Sequence, residues 1–200
     1  MEEEKENSKI YFVTKNMHKF SEVSLMFQNE NVEFDLLHSD MDTIEIQANL
    51  CRDVALYKLK SIKDQLNYSF FIEDSGFYID TPLNGFPGVY SSYIYKTIGN
   101  EGILKLIDDF GNTEAHFVAV IALYYKPTNK IFIFEGIVKG RVSDKIKGKQ
   151  GFGFDPIFIP YESPNSKTFG ELTMEEKSKY SHRGKALKQF IPLLKIIHNL

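Results

Sequence analysis

Short apolar runs alternate with stretches of helical period through most of this chain, and glycine-rich turns and two closing helices follow. Ile10 to Val13 reads as a first strand, and Phe20, Val23, Met26 and Phe27 recur at the spacing of an amphipathic helix. Val32 to Leu37 predicts a second strand and His38 to Thr43 a polar connector. A helix follows from about Asn49 to Gln65, with Leu50, Val54, Leu56, Leu59 and Ile62 on or near one face. Ser69 to Ile72 predicts a buried strand that stops at Glu73-Asp74-Ser75-Gly76. Two prolines and two glycines between Pro82 and Gly88 predict a stiff loop, and Tyr90 to Asp109 reads as helices interrupted near Gly99 and Gly102. Ala115 to Tyr125 and Ile131 to Val142, separated by Lys126-Pro127-Thr128-Asn129, predict a long antiparallel hairpin. Ile157 to Ile159 is a short strand, Thr173 to Glu176 fits a capping box, and Ser181 opens a last helix that Pro192 is expected to kink. The fold class is therefore mixed α/β, with long strands and no internal repeat.

The 200 residues suit one large domain or two small lobes, and 17 Phe with 11 Tyr supply an ample core. A net charge of −3 argues against a dedicated nucleic-acid binder. No stretch reaches the roughly 20 apolar residues of a membrane span. The single cysteine, Cys51, excludes an internal disulfide and points to a reducing, cytoplasmic compartment. Residues 1–9 read as an acidic, disordered tail ahead of one two-lobed domain over residues 10–200.

Three stretches carry candidate chemistry. In the first, Glu73 and Asp74 are adjacent on a strand and point to opposite faces, so they cannot both serve one ligand. Asp74 reads as a hard-cation ligand or general base, or else as a solvated acid at a turn. Gly76 permits a bend and a close backbone approach. The second stretch is the strand-to-helix turn at Thr14, Asn16 and Lys19, which offers amides, a hydroxyl and a cation to an anion, or simply caps the helix. The third is Gly151-Phe152-Gly153-Phe154-Asp155, which could stack a nucleobase or act as a hinge. Glu45, ahead of a helix, is a surface acid or a metal ligand. Ser181-His182-Arg183, at a helix start, is an N-cap or an anion and carbonyl reader.

In order, these motifs, with Gly85-Phe-Pro-Gly88-Val-Tyr90-Ser91 and Phe169-Gly-Glu171, closely resemble the inosine triphosphate pyrophosphatase (HAM1-like) family. The resemblance runs from about Ile10 to the final helix. It implies a long central mixed sheet flanked by helices, forming two lobes with a cleft between them, and a homodimer. It also implies hydrolysis of the non-canonical purine triphosphates ITP, dITP or XTP to monophosphate and pyrophosphate, with magnesium. By motif, Thr14, Asn16 and Lys19 would hold phosphates, and Glu45 and Asp74 would position magnesium. Asp74 would also take the water's proton, and Ser75 would help place the nucleotide. Phe152, Gly153, Phe154 and Asp155 would frame base and sugar, Lys177 would meet phosphate, and His182 with Arg183 would read the 6-oxo edge. Lys58 matches a family lysine loosely and joins the substrate set. Lys15 and Phe154 depart from the usual residues. A Maf-type pyrophosphatase and a non-catalytic nucleotide-binding module are the competing expectations.

Overall fold

The computed structural model describes residues 9–198, so residues 1–8 of the expected tail lie outside the described residues, while Lys9, its last residue, belongs to the first strand instead. Strand β1 is Lys9–Val13 and β2 is Asp35–Ser39, paired in parallel from Lys9 against Asp35 to Val13 against Ser39. This register places His38 and Ser39 in β2, whereas the polar pattern suggested a connector there. Strand β3 runs Phe70–Ile79 and pairs in parallel with β1 through Tyr11 and Phe12. Strand β4, Phe86–Gly88, pairs antiparallel with β3. Strands β5, Glu114–Tyr125, and β6, Lys130–Val142, are neighbours. So short a connection between neighbours reverses the chain, and Asn129 makes the turn at φ +53°. Strand β7, Phe158–Pro160, closes the sheet antiparallel to β6. The seven strands run β2-β1-β3-β5-β6-β7, with β4 beside β3. The sheet is mixed, as the sequence predicts.

The helices are α1 (Met17–Asn29), α2 (Cys51–Ile62), α3 (Ser91–Thr97), α4 (Gly99–Leu106), α5 (Met174–Tyr180) and α6 (His182–His198). Helix α6 continues through Pro192. The interruption predicted near Gly99 is there: Gly99 takes φ +62° between α3 and α4. The capping box of α5 forms as predicted, with the Glu176 amide donating to Thr173 Oγ1 at 3.2 Å and the Thr173 amide donating to Glu176 Oε2 at 2.8 Å. Among the described residues no helix is long and apolar enough to cross a membrane.

One correction matters for function. β3 does not stop at the acids; it runs on through Glu73, Asp74, Ser75 and Gly76 to Ile79. Lys19 and Lys58 neutralise the two acids inside the strand, and Gly76 admits β4 beyond them: a Cβ there would lie 2.6 Å from the Gly88 carbonyl oxygen. The close approach expected of Gly76 is real, and the bend is not. The alternative of solvated acids also fails, because Glu73 and Asp74 are both buried.

The chain packs as two units. The first holds the described chain up to Asp74, Val120–Glu135 and the described chain from Ala186 on. Its core stacks Phe12 on Phe71 at 4.5 Å between ring centroids, with Phe190 at 5.0 Å from Phe71. The second holds Ser75–Ala119 and Gly136–Lys185. Its core gathers Phe77, Ile103, Phe117, Val138, Phe154, Phe158 and Phe169.

Candidate functional site

In the first unit, β1 ends at Val13 and the chain turns directly into α1. Asn16 is the N-cap: its Oδ1 accepts from the amides of His18 at 3.0 Å and Lys19 at 3.3 Å. Thr14 Oγ1 accepts from the Asn16 amide at 3.1 Å. The capping geometry is thus realised, with Asn16 Oδ1 engaged by the helix's first amides. Lys15 pairs with Asp42 at the surface, and that hydrogen bond and charge hold its ammonium pKa above the ordinary value.

Lys19, one turn into α1, reaches β3. Its Nζ lies 2.8 Å from Glu73 Oε2, with the Glu73 side chain fully enclosed and that of Lys19 nearly so. On the opposite face of β3, Asp74 meets α2: Lys58 Nζ is 3.3 Å from Asp74 Oδ1 and 3.0 Å from Glu45 Oε2. Lys58 therefore bridges the two carboxylates predicted to hold a metal. The Glu45 loop is held to the same helical turn, because Ser61 Oγ donates to the Lys58 carbonyl at 2.7 Å and accepts from the Ile44 amide at 3.1 Å. Burial would lower the Lys58 pKa, but Asp74 and Glu45 outweigh it and hold it above the usual lysine range. Burial pushes the Asp74 carboxyl above the carboxylate range, Lys19 and Lys58 oppose this, and Glu73 and Glu45 reinforce it. Asp74 Oδ2 is buried with no hydrogen-bond partner among the described residues. No cluster of three or more His, Cys, Asp or Glu side chains with metal-ligand geometry occurs among the described residues. A pair of carboxylates such as Glu45 and Asp74 is a donor set that suits an ion that keeps waters and takes phosphate oxygens.

The second unit gathers the other predicted residues. Asp155 Oδ2 accepts from the Phe152 amide at 2.7 Å and from Lys177 Nζ at 2.7 Å, and both charged side chains are 3% exposed. This tight turn explains Gly151, at φ +70°, where a Cβ would sit 2.1 Å from the same oxygen. Lys177, expected to meet phosphate, is thus held by a buried carboxylate. Lys177 Nζ and Arg183 Cζ lie 5.0 and 5.5 Å from the centre of the half-buried Phe152 ring. Arg183 is buried, and its Nη2 lies 3.5 Å from Ser75 Oγ. His182 is buried and stacks on Phe117 at 4.6 Å. Ser181 Oγ caps α6 by accepting from the Gly184 amide at 3.0 Å. Phe154 is buried in the core at 5.1 Å from Phe77, which leaves Phe152 as the accessible ring of the loop. The Gly153 carbonyl accepts from Asn100 Nδ2 at 3.2 Å.

The sequence reading left out three residues that organise these groups: Glu73 under Lys19, Ser61 under Glu45, and Asn100 under Gly153. The acid pair Glu73-Asp74, on alternating strand faces, was the available signal for Glu73. Nothing local in the sequence points to Ser61 or Asn100.

The mixed α/β fold, with lysine–carboxylate pairs around a mid-strand aspartate and a buried guanidinium beside a glycine–phenylalanine loop, places the chain in one class of proteins. The chain belongs to the Ham1 family, whose model matches residues 10–193. It is 45% identical over 188 residues to a dITP/XTP pyrophosphatase of Pyrococcus horikoshii, covering 94% of this chain and 97% of that one. It is 43% identical over 187 residues to a dITP/XTP pyrophosphatase of Thermococcus kodakarensis, with the same coverage, 94% and 97%. The solved structure of a HAM1 protein from Coxiella burnetii superposes with a TM-score of 0.80 at 28% identity, over 94% of this chain and 98% of that one.

Proposed function

We propose that this protein hydrolyses non-canonical purine nucleoside triphosphates, ITP, dITP and XTP, to the monophosphate and pyrophosphate. The observation that carries the reading is Asp74: buried, flanked by the ammonium groups of Lys19 and Lys58, with one carboxylate oxygen left without a hydrogen-bond partner. Such an oxygen is costly in a fold unless a ligand uses it. The relatives named above, printed as dITP/XTP pyrophosphatases, support the substrate class.

The residue roles follow the chemistry. A water oxygen attacks the α-phosphorus, the bond to the β-phosphate oxygen breaks, pyrophosphate leaves, and Asp74 accepts the water's proton. Glu45 and Asp74 fit magnesium, since one is an exposed carboxylate and the other has the unfilled oxygen. Bound there, magnesium would neutralise phosphate charge and acidify the attacking water. Thr14, Asn16, Lys19 and Lys58 bind and orient phosphates, which is most of what phosphoryl-type transfer asks of a protein. Ser75, Phe152, Gly153 and Asp155 frame the nucleoside, Phe154 supports that loop from the core, and Lys177 adds positive charge. His182 and Arg183 read the 6-oxo edge. An adenine amino group facing the Arg183 donors would leave N–H groups opposed, at about 1–3 kcal/mol per buried group. The same reading includes a cytoplasmic homodimer, supported by exposed Phe86, Tyr90 and Tyr93 and by the presence of a single cysteine.

The test is pyrophosphate release from ITP, dITP, XTP, ATP and modified pyrimidine triphosphates, with magnesium and with chelator. Turnover of the oxo-purines well above ATP, abolished by chelator, is expected. Asp74→Asn should lower kcat by about 10²–10⁴, the usual share of a general base, while binding of a non-hydrolysable imido analogue stays within a few-fold. Equal turnover of ATP and ITP would remove the specificity assignment, and a fully active Asp74→Asn would remove the catalytic one.

A further inference from the structure

Lys58 occupies an unusual position. Its ammonium sits between two carboxylates, at 3.0 Å from Glu45 Oε2 and 3.3 Å from Asp74 Oδ1. The helical turn that carries it also anchors the Glu45 loop through Ser61. Yet the bridge is unfinished, because Asp74 Oδ2 remains buried without a hydrogen-bond partner among the described residues. Lys58 leaves that oxygen unfilled, as a point-charge donor does. The charges of this bridge are also unequal. Lys58 offers one positive charge to the two carboxylates it joins, so these three groups together carry a formal negative charge. That disfavours an incoming polyphosphate rather than attracting it.

We infer that Lys58 is a resident stand-in for the divalent cation: it holds Glu45 and Asp74 together before metal arrives, is displaced when the metal binds, and then turns its donors to the polyphosphate. This rests on the metal assignment proposed above and adds to it a competition between ammonium and metal for the same two carboxylates. Three consequences follow from the geometry. The site is preorganised without metal, because the carboxylates are already drawn toward one point. Metal binding has to break two partly shielded ion pairs. And metal entry reverses the sign of the local charge while freeing an ammonium beside the incoming phosphates, so metal and polyphosphate help each other to bind.

The sign of one substitution separates this from a purely structural role. If Lys58 competes with metal, Lys58→Met removes the competitor and tightens divalent binding by about tenfold, as expected for two shielded ion pairs and the loss of a nearby positive charge. If Lys58 is needed to build the site, the same change weakens metal binding. The experiment is Mn²⁺ titration of the whole protein, followed by the electron paramagnetic resonance of the free ion, on the native chain, Lys58→Met and Lys58→Arg. Thermal unfolding is used to check that each variant is folded. Tighter Mn²⁺ binding by Lys58→Met, with Lys58→Arg near the native value, supports the inference, as does binding seen in Lys58→Met alone. Unchanged or weaker binding by a folded Lys58→Met, with the native chain binding, overturns it and leaves the metal site intact. No binding by any of the three overturns both, and a Lys58→Met that does not fold overturns it in favour of a structural lysine.

Discussion

Asn100→Ala separates two effects that one side chain combines. Asn100 Nδ2 donates to the Gly153 carbonyl at 3.2 Å, while its Oδ1 is buried with no hydrogen-bond partner among the described residues. Losing the bond costs about 0.5–1.5 kcal/mol, and removing the unsatisfied oxygen relieves about 1–3 kcal/mol. The two offset, or the variant gains slightly. For a chain of 200 residues, 1 kcal/mol moves Tm by about 2–4 °C, so Tm should stay within about 4 °C of the native value or rise. The loop has no such compensation. Gly153 sits at φ +62° between Phe152 and Phe154, and the amide is a tie from α4 to that backbone. Releasing a restraint worth about 1 kcal/mol should raise KM for ITP about fivefold. Since Asp74 is untouched, kcat should change little. Differential scanning fluorimetry and steady-state pyrophosphate release measure the two halves. A Tm fall beyond about 8 °C would show that the tie outweighs the orphaned oxygen, and an unchanged KM would show that Asn100 does not position the loop.

Other outcomes follow from the same geometry. Ser91 Oγ accepts from the Phe77 amide at 2.7 Å and donates to the Gly88 carbonyl at 2.6 Å, so Ser91→Ala should cost about 1–3 kcal/mol. Chemical denaturation would show this as a lower midpoint. Gly76→Ala would drive a methyl to 2.6 Å from the Gly88 carbonyl oxygen, and overpacking of this kind costs about 1–3 kcal/mol or more. An unchanged unfolding midpoint would refute the close approach of β4. The raised Asp74 pKa sets two pH effects. As the required base, Asp74 places the acid limb of kcat/KM above the ordinary carboxylate range. In metal-free protein the native state holds that proton more tightly than the unfolded chain does, so stability falls as pH rises from the ordinary carboxylate value through the raised one. Asp74→Asn should flatten that slope in a pH series of melting curves.

The sequence pattern was enough for the fold class, because strand and helix periods were distinct and the α5 capping box and the Gly99 break are local signals. Where it misled, tertiary pairing decided. β3 looked finished at Ile72 because charged residues normally end a buried strand, yet Lys19 and Lys58 come from two helices to neutralise Glu73 and Asp74 inside it. β2 slid toward His38 and Ser39 because its register against β1 required it. Phe154 read as a stacking ring, and its alternation with Phe152 did not reveal which of the two faces the core. Asp74, Lys19, Arg183 and Asp155 were legible through ordered motifs. Ser61 and Asn100 were not, since each acts through a single hydrogen bond to a residue distant in sequence.

The alternation of Glu73 and Asp74 gives this strand an unusual sensitivity. Two consecutive codons each supply a different lysine's counter-ion, so deleting one residue upstream within β3 would exchange the faces and turn Asp74, the proposed base, toward the wrong helix. A sequence aligned with one gap there would keep nearly all of its identity to the relatives and still lack the chemistry. For anyone grafting or redesigning this protein, the length of β3 ahead of Glu73 is therefore as much a functional parameter as the acids themselves.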